Sequence, residues 1–286
     1  MCGGSSPLGG TSSCKGKLAE VQSSSHRPTK ANHLQMEPSS LEPRSRPIDQ
    51  NNGISKVLFM RSTNPLGRFR KSLQRRARRN RLGKLVTYLD LSEQIPGWKR
   101  GAEAEEMALA ARSIYGDAVI VEIGVFLGSA SVLLAGARHL AGNGMVHCVD
   151  PFDGSGDEYS VPVYSEIATR FSSSLRDQFM QSIDAADLTD FVTVHEGTAE
   201  TIGAIWDQPI DLLFLDGDQS PIGARSAFEI WEPWLKTGGI LVVGNSSPRT
   251  YEPDHDGNFR ITSERVIEPA YRNIRIIGTT TFAEKC

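Results

Sequence analysis

Acidic residues are nearly missing from the start of this sequence. The first 84 residues hold 4 Asp and Glu against 17 Lys and Arg, whereas the remainder holds 30 acids and 14 bases. The small net charge of −3 therefore conceals an arm of +13 on a body of −16. That acidic balance argues against nucleic acid as the body's ligand and suits a small neutral or cationic substrate, while the arm leaves nucleic acid open. Cysteine is also scarce. Cys2, Cys14, Cys148 and Cys286 form no CxxC pair, which excludes a disulfide scaffold and a zinc knuckle. Cys148, within the apolar run Met145 to Val149, reads as a small buried hydrophobe. No run approaches the roughly 18 to 20 apolar residues of a membrane-spanning helix, and the N-terminus lacks a secretory layout. The chain is expected to be soluble and cytoplasmic, with organelle import through its acid-poor tail as the alternative.

What is present divides into three parts. Residues 1–55 are rich in Ser, Pro and Gly without apolar periodicity, so they are expected to be a disordered tail. Residues 56–97 form a basic linker and lead-in helix, in which Phe69, Leu73 and Ala77 are spaced to share one helix face. Such a basic helix is either a solvated lead-in or a surface for nucleic acid or anionic lipid. Residues 98–286 carry the domain. A helix is predicted over 102–114, with Glu103, Glu105 and Glu106 near its start, where the helix dipole favours acids. Short apolar strands at 118–123, 145–149, 191–195, 210–215 and 239–243 then alternate with helical patterns at 129–140, 168–185, 199–205 and 222–235. This alternation predicts an α/β fold, a Rossmann-like, mostly parallel sheet with helices on both faces. Runs at 274–277 and 280–283 are too close for a crossover, so they predict a C-terminal hairpin with one antiparallel strand.

In such sheets ligands gather at the carboxyl ends of the strands. The residues there are Glu122, Gly124 and Gly128 with Ser129, then Asp150, then Gly197 and Thr198, then Asp216 and Asp218, then Asn245. Gly124 and Gly128 permit a tight turn and a close backbone approach before a helix opens at Ser129. A dinucleotide fingerprint would need glycine at position 126, which is Phe126, so a diphosphate ligand is disfavoured. Asp150 can accept hydrogen bonds from both hydroxyls of a ribose.

Glu122-Ile-Gly-Val-Phe-Leu-Gly128, Val149-Asp150-Pro-Phe-Asp153, Leu215-Asp216-Gly217-Asp218-Gln219-Ser220 and Trp234-Leu-Lys-Thr-Gly238-Gly239 occur in order and at regular intervals. In these motifs the region from Trp98 to Cys286 resembles class I S-adenosylmethionine-dependent methyltransferases, in the branch called methyltransferase family 24. The resemblance implies a seven-stranded sheet with its last strand antiparallel, and S-adenosylmethionine as cofactor. It implies that Glu122, Gly124, Gly128 and Ser129 hold the methionine end and nearby ribose, that Asp150 grips the ribose, and that Thr198 borders adenine. Asp216 would lie beside the cofactor's amino group and the reacting methyl.

One departure is visible. Relatives commonly carry histidine where this chain has Gln219, and glutamine cannot act as a base. Asp216, Asp218 and His255 remain as catalytic candidates, with a solvated loop position the competing reading for His255. Asp216, Asp218 and Asn245 offer hard oxygen ligands, but Gly244 stands where metal-dependent relatives carry an aspartate. No metal is therefore assigned, and magnesium is left open. Trp98 is either part of the substrate cover or a core anchor. His139, His147 and His195 are read as structural, and Trp231 and Trp234 as packing against the sheet. The expected activity is methyl transfer to a hydroxyl of a small-molecule or glycan acceptor. The alternatives are a cofactor-binding protein with weakened catalysis and an RNA methyltransferase using the basic arm; a homodimer is compatible with either.

Overall fold

A computed structural model of the chain describes residues 76–286. The expectations for 1–55 and for the linker up to residue 75 lie outside the described residues. After a helical run at 76–82 come helices α1 (Leu85–Ser92) and α2 (Gly101–Ser113). The alternating part runs β1 (Val119–Ile123), α3 (Ser129–Ala141), β2 (Met145–Asp150), α4 (Val161–Ala168), α5 (Leu175–Ala185), β3 (Val192–Glu196), α6 (Ala199–Gly203), β4 (Ile210–Leu215), α7 (Pro221–Trp231) and β5 (Leu235–Val243). It closes with α8 (Gly257–Arg265), β6 (Tyr271–Ile277) and β7 (Thr280–Lys285). Among the described residues no helix is long and apolar enough to cross a membrane.

The seven strands form one sheet in the order β3-β2-β1-β4-β5-β7-β6, with β7 antiparallel to both β5 and β6. The Rossmann-like sheet and its reversed C-terminal strand are as the sequence implied. Strand order reverses between β1 and β4. There Ile123 pairs with Val149 on one side and Leu215 on the other, so three strands end level. Backbone bonds carry the ladder one step further: Gly124 N–H to Val149 O at 2.9 Å, Asp216 N–H to Ile123 O at 3.0 Å, Gly197 N–H to Asp150 O at 3.1 Å and Gly244 N–H to Leu215 O at 2.9 Å. Every strand-end residue singled out above therefore starts from one line along the sheet.

Side chains alternate across this sheet. Ile120, Cys148, Phe214 and Phe282 face a core covered by α1, α2, α3 and α5, while Val121, Ile123, Leu213 and Val243 face one closed by α7 with Trp206 and Trp231. Cys148 and Trp231 are fully buried in these cores, as read from sequence. The residues before 98 also join the fold: Leu82, Leu85 and Leu89 are buried in the first core. Tyr88 lies so close to α3 that a Cβ on Gly136 would stand 2.2 Å from its ring. Arg78 bonds Glu105 at 2.9 Å and Glu93 at 3.2 Å, and Arg81 also pairs with Glu105. These two arginines are thus engaged by the acidic body.

Three boundaries differ from expectation. The helix predicted over 168–185 starts only at Leu175, because Ser174 caps α5 by accepting from Asp177 N–H at 3.0 Å, and α4 at 161–168 precedes it where no helix was expected. The helix predicted to Leu235 stops at Trp231: Pro233 has no N–H to continue it, and Leu235 already belongs to β5. After the histidine loop, where no element was expected, lies α8, whose inner side buries Asn258, Ile261 and Thr262.

Candidate functional site

A cavity of about 840 Å³ opens along the carboxyl ends of the strands. Its first part is the turn from β1 into α3. Gly124 has φ +83°, and a Cβ there would stand 2.5 Å from Gly217 Cα, so the close approach this glycine allows is to the loop after β4. Gly128, at φ +88°, sits under Phe179 in the same manner. Phe126 adopts φ +48° and joins Trp98 and Tyr164 in an aromatic wall, with ring centroids 5.0 to 5.6 Å apart. Trp98, half exposed, belongs to this wall and not to the core.

Asp150 is bound to the same turn. Its Oδ2 accepts from the N–H groups of Val125 and Phe126, each at 2.9 Å, and its Oδ1 from Phe152 N–H at 2.7 Å. Burial raises its pKa against the pull of these three amides. A bidentate grip on two ribose hydroxyls would compete with those amides, leaving Oδ1 as the freer acceptor. Glu122 is buried on the cavity floor and accepts from Ser131 Oγ at 2.7 Å. Burial pushes its carboxyl up to about 8, with Asp216 and Asp150 adding to the rise and Ser131 opposing it. Ser129 lines the cavity but is tied to Ser92 Oγ at 3.1 Å and to Arg100 Nη1 at 2.7 Å. Thr198 borders the far end and caps α6, accepting from Thr201 N–H at 3.2 Å.

The other part of the cavity lies beyond β4 and β5. Asp216 faces Lys99, whose Nζ is 3.3 Å from Asp216 Oδ1. Lys99 is only 3% exposed, and the contact is an ion pair without hydrogen-bond geometry: Asp216 Oδ1 is buried with no donor among the described residues. Burial raises the Asp216 carboxyl while the Lys99 ammonium lowers it, and the first effect prevails. Asp218 is exposed and accepts from Ser220 N–H at 2.9 Å in the turn before α7. Gln219 is buried and accepts from Asn245 Nδ2 at 2.8 Å, and Asn245 Oδ1 accepts from Arg249 at 3.1 Å.

His255 is not a solvated loop residue. It is buried, lines the cavity and meets Asp157 with Nδ1 to Oδ1 at 2.9 Å. Asp157 also accepts from Ser160 N–H at 3.0 Å. Burial pushes its carboxyl up, but the bonds from His255 and Ser160 outweigh this and hold it below the ordinary range. Where Nδ1 donates to Asp157, Nε2 is the ring nitrogen left for another partner. Gly257 N–H donates to Gln219 O at 2.9 Å and Asn258 Nδ2 to Gly244 O at 2.8 Å, which dock the histidine loop on the strand ends.

The oxygen-bearing side chains considered for a divalent cation do not fit one. Asp216 is paired with an ammonium, Asp218 is turned into the α7 cap, and Asn245 is bonded to Gln219. Among the described residues no three His, Cys, Asp or Glu side chains are arranged to hold a metal. A ribose-bearing cation fits better, since the cavity is lined by Glu122, Asp150 and Asp216 and by aromatic rings. Lys99, Asp157 and Tyr164 were missed in the sequence. Lys99 follows the flagged Trp98, and Asp157 closes a Gly-Ser-Gly-Asp turn, but neither position announces its partner.

Residues 121–246 match the family model for a methyltransferase domain. Among solved structures, a Staphylococcus aureus protein provisionally described as a caffeoyl-CoA O-methyltransferase is 15% identical with a TM-score of 0.53, covering 76% of this chain and 100% of that one. A Corynebacterium glutamicum protein is 15% identical with a TM-score of 0.51, covering 70% and 89%. An O-methyltransferase from Bacillus cereus in complex with SAH is 17% identical with a TM-score of 0.47, covering 70% and 90%.

Proposed function

We propose that this chain, which carries a class I S-adenosylmethionine-dependent methyltransferase domain, methylates a hydroxyl oxygen of a small-molecule acceptor, with His255 as general base. The observation that carries this is the buried His255–Asp157 pair on the cavity wall, which supplies the base that Gln219 cannot. The cofactor supplies a methyl group already activated on a sulfonium, so the C–S electron pair leaves with sulfur as the C–O bond forms. The chain must align the acceptor and remove one proton. The acceptor O–H proton passes to His255 Nε2, while Asp157 fixes the ring through Nδ1 and balances the imidazolium.

The remaining positions follow from the two parts of the cavity. The turn from Gly124 to Gly128, with Glu122, Ser129, Asp150 and Thr198, forms the cofactor side. Asp216 stands between cofactor and acceptor. The rings of Trp98, Phe126 and Tyr164 offer a flat apolar face to an acceptor, with Tyr159 and Val163 at the mouth. That wall favours an acceptor with an apolar or planar face over an extended glycan.

The test is release of S-adenosylhomocysteine from S-adenosylmethionine over a panel of phenols, sugars, amines and thiols. Turnover is expected with hydroxyl acceptors. His255→Gln should lower kcat by about 10² to 10⁴ while leaving cofactor affinity unchanged. Turnover confined to amines or thiols, or full activity in His255→Gln, would refute this reading.

A further inference from the structure

We propose that Lys99 forms the acceptor-oxygen site: its ammonium, held by Asp216, binds the oxygen that receives the methyl group, in the place where a divalent cation would otherwise sit. The inference rests on the O-methylation reading above and assigns the charge-stabilising group within it.

Position comes first. Lys99 Nζ lies 3.3 Å from Asp216, and 2.8 Å from where a Cβ on Gly244 would be. It therefore stands at the ends of β4 and β5, on the same side as the histidine loop. The groups that fit the cofactor's sugar and methionine end stand at β1, β2 and β3.

The second point is the cost of burial. An ammonium is strongly hydrated, and removing it from water is unfavourable unless its three N–H groups are satisfied. One ion pair outside hydrogen-bond geometry is a poor return for that cost in a purely structural contact. Donors lining a cavity are instead suited to an oxygen ligand. As the acceptor loses its proton to His255, negative charge gathers on that oxygen, and a preplaced cation in a partly dry site stabilises it. Asp216 keeps the local charge balanced, so the ammonium can stand near a sulfonium.

The third point is rigidity. A Cβ on Gly97 would stand 2.5 Å from Ser129 Cβ, so this segment lies directly on the start of α3. Arg100 fastens it on the other side, donating to Ser129 Oγ at 2.7 Å and to Ile95 O at 2.6 Å. Lys99 is thus fixed between two anchors, as a preorganised donor requires.

The test uses the full chain saturated with S-adenosylhomocysteine and 4-nitrophenol as the probe, whose ionisation is read by absorbance. The bound probe should ionise at lower pH than the free one. Lys99→Met should abolish that shift while changing the S-adenosylhomocysteine Kd by less than about threefold, and neither Mg²⁺ nor EDTA should alter either result. If Lys99→Met does not fold by circular dichroism, Lys99→Gln keeps a donor toward Asp216 without the charge and carries the same expectations. A loss of cofactor affinity of about tenfold or more with the shift intact would overturn the proposal, placing Lys99 on the cofactor. So would a wild-type chain that binds S-adenosylhomocysteine but leaves the probe's ionisation unchanged. Failure to bind S-adenosylhomocysteine at all would instead remove the methyltransferase reading beneath it.

Discussion

At the carboxyl ends of β1, β2 and β3 the cavity wall is largely backbone, whereas beyond β4 and β5 it is made of side chains brought from four separate segments. On the first side Asp150 clasps the amides of Val125 and Phe126, and Gly124 nests against Gly217. On the second, Lys99 meets Asp216, and His255 meets Asp157 from 98 residues away. Backbone turns thus shape the first side, while the second depends on paired side chains carried by loops, which can be exchanged without altering the sheet. Substitutions on the two sides should consequently fail in different ways.

The largest effect is expected at Gly124→Ala. Alanine at φ +83° is strained, and its Cβ would stand 2.5 Å from Gly217 Cα, backbone against backbone. A loss of at least about 3 kcal/mol should appear in urea unfolding. Calorimetry should show no measurable S-adenosylhomocysteine binding even where the variant remains folded. Normal cofactor affinity in Gly124→Ala would mean that the turn does not shape the cofactor side, and the contrast between the two sides would fail.

An intermediate effect follows from Glu122. Its carboxyl is raised from about 4.3 in an unfolded chain to about 8 in the fold. Between those values the folded protein holds a proton that the unfolded chain has released. Its contribution to stability is therefore fully present at low pH and falls as pH rises toward 8. Glu122→Gln keeps an acceptor for Ser131 and removes the titration. The wild type should lose more stability than Glu122→Gln between pH 5 and 8, by a few kcal/mol at most, read as the difference in Tm. Parallel curves would show that Glu122 does not cross from neutral to charged in this range.

The middle of the sheet was legible because β1, β2, β4 and β5 are short apolar runs that end in or before Gly or Asp, a pattern that neighbouring residues determine. The late start of α5 was not, since Ser174 has to find Asp177 N–H before its capping role exists. α8 was hidden for a different reason: the side it buries includes Asn258 and Thr262, so it carries no apolar stripe. The site divides in the same manner. Gly124 and Asp150 announce themselves by spacing. Lys99 and Asp157 carry no such signal, because what distinguishes them is a partner chosen by tertiary packing. His255 was seen as a residue, but its burial was not.

Asp218 gives the smallest expected effect and the sharpest check on this division. By sequence it equals Asp216 as a catalytic candidate, standing two residues away in the same motif. In the fold the two part: Asp216 meets Lys99 in the cavity, whereas Asp218 is exposed and turned back to Ser220 N–H at 2.9 Å. A Cβ on Gly223 would collide with its carboxylate, which shows how closely that group is folded into the start of α7. Asp218→Ala therefore removes one turn hydrogen bond, a loss of about 0.5 to 1 kcal/mol in unfolding, and should leave kcat within about twofold of wild type. With the carboxylate serving its own loop, the proposed mechanism assigns proton removal from the acceptor to His255. If Asp218→Ala instead lowered kcat as far as His255→Gln, with cofactor affinity intact, the base would belong to the motif after β4 and not to the histidine loop.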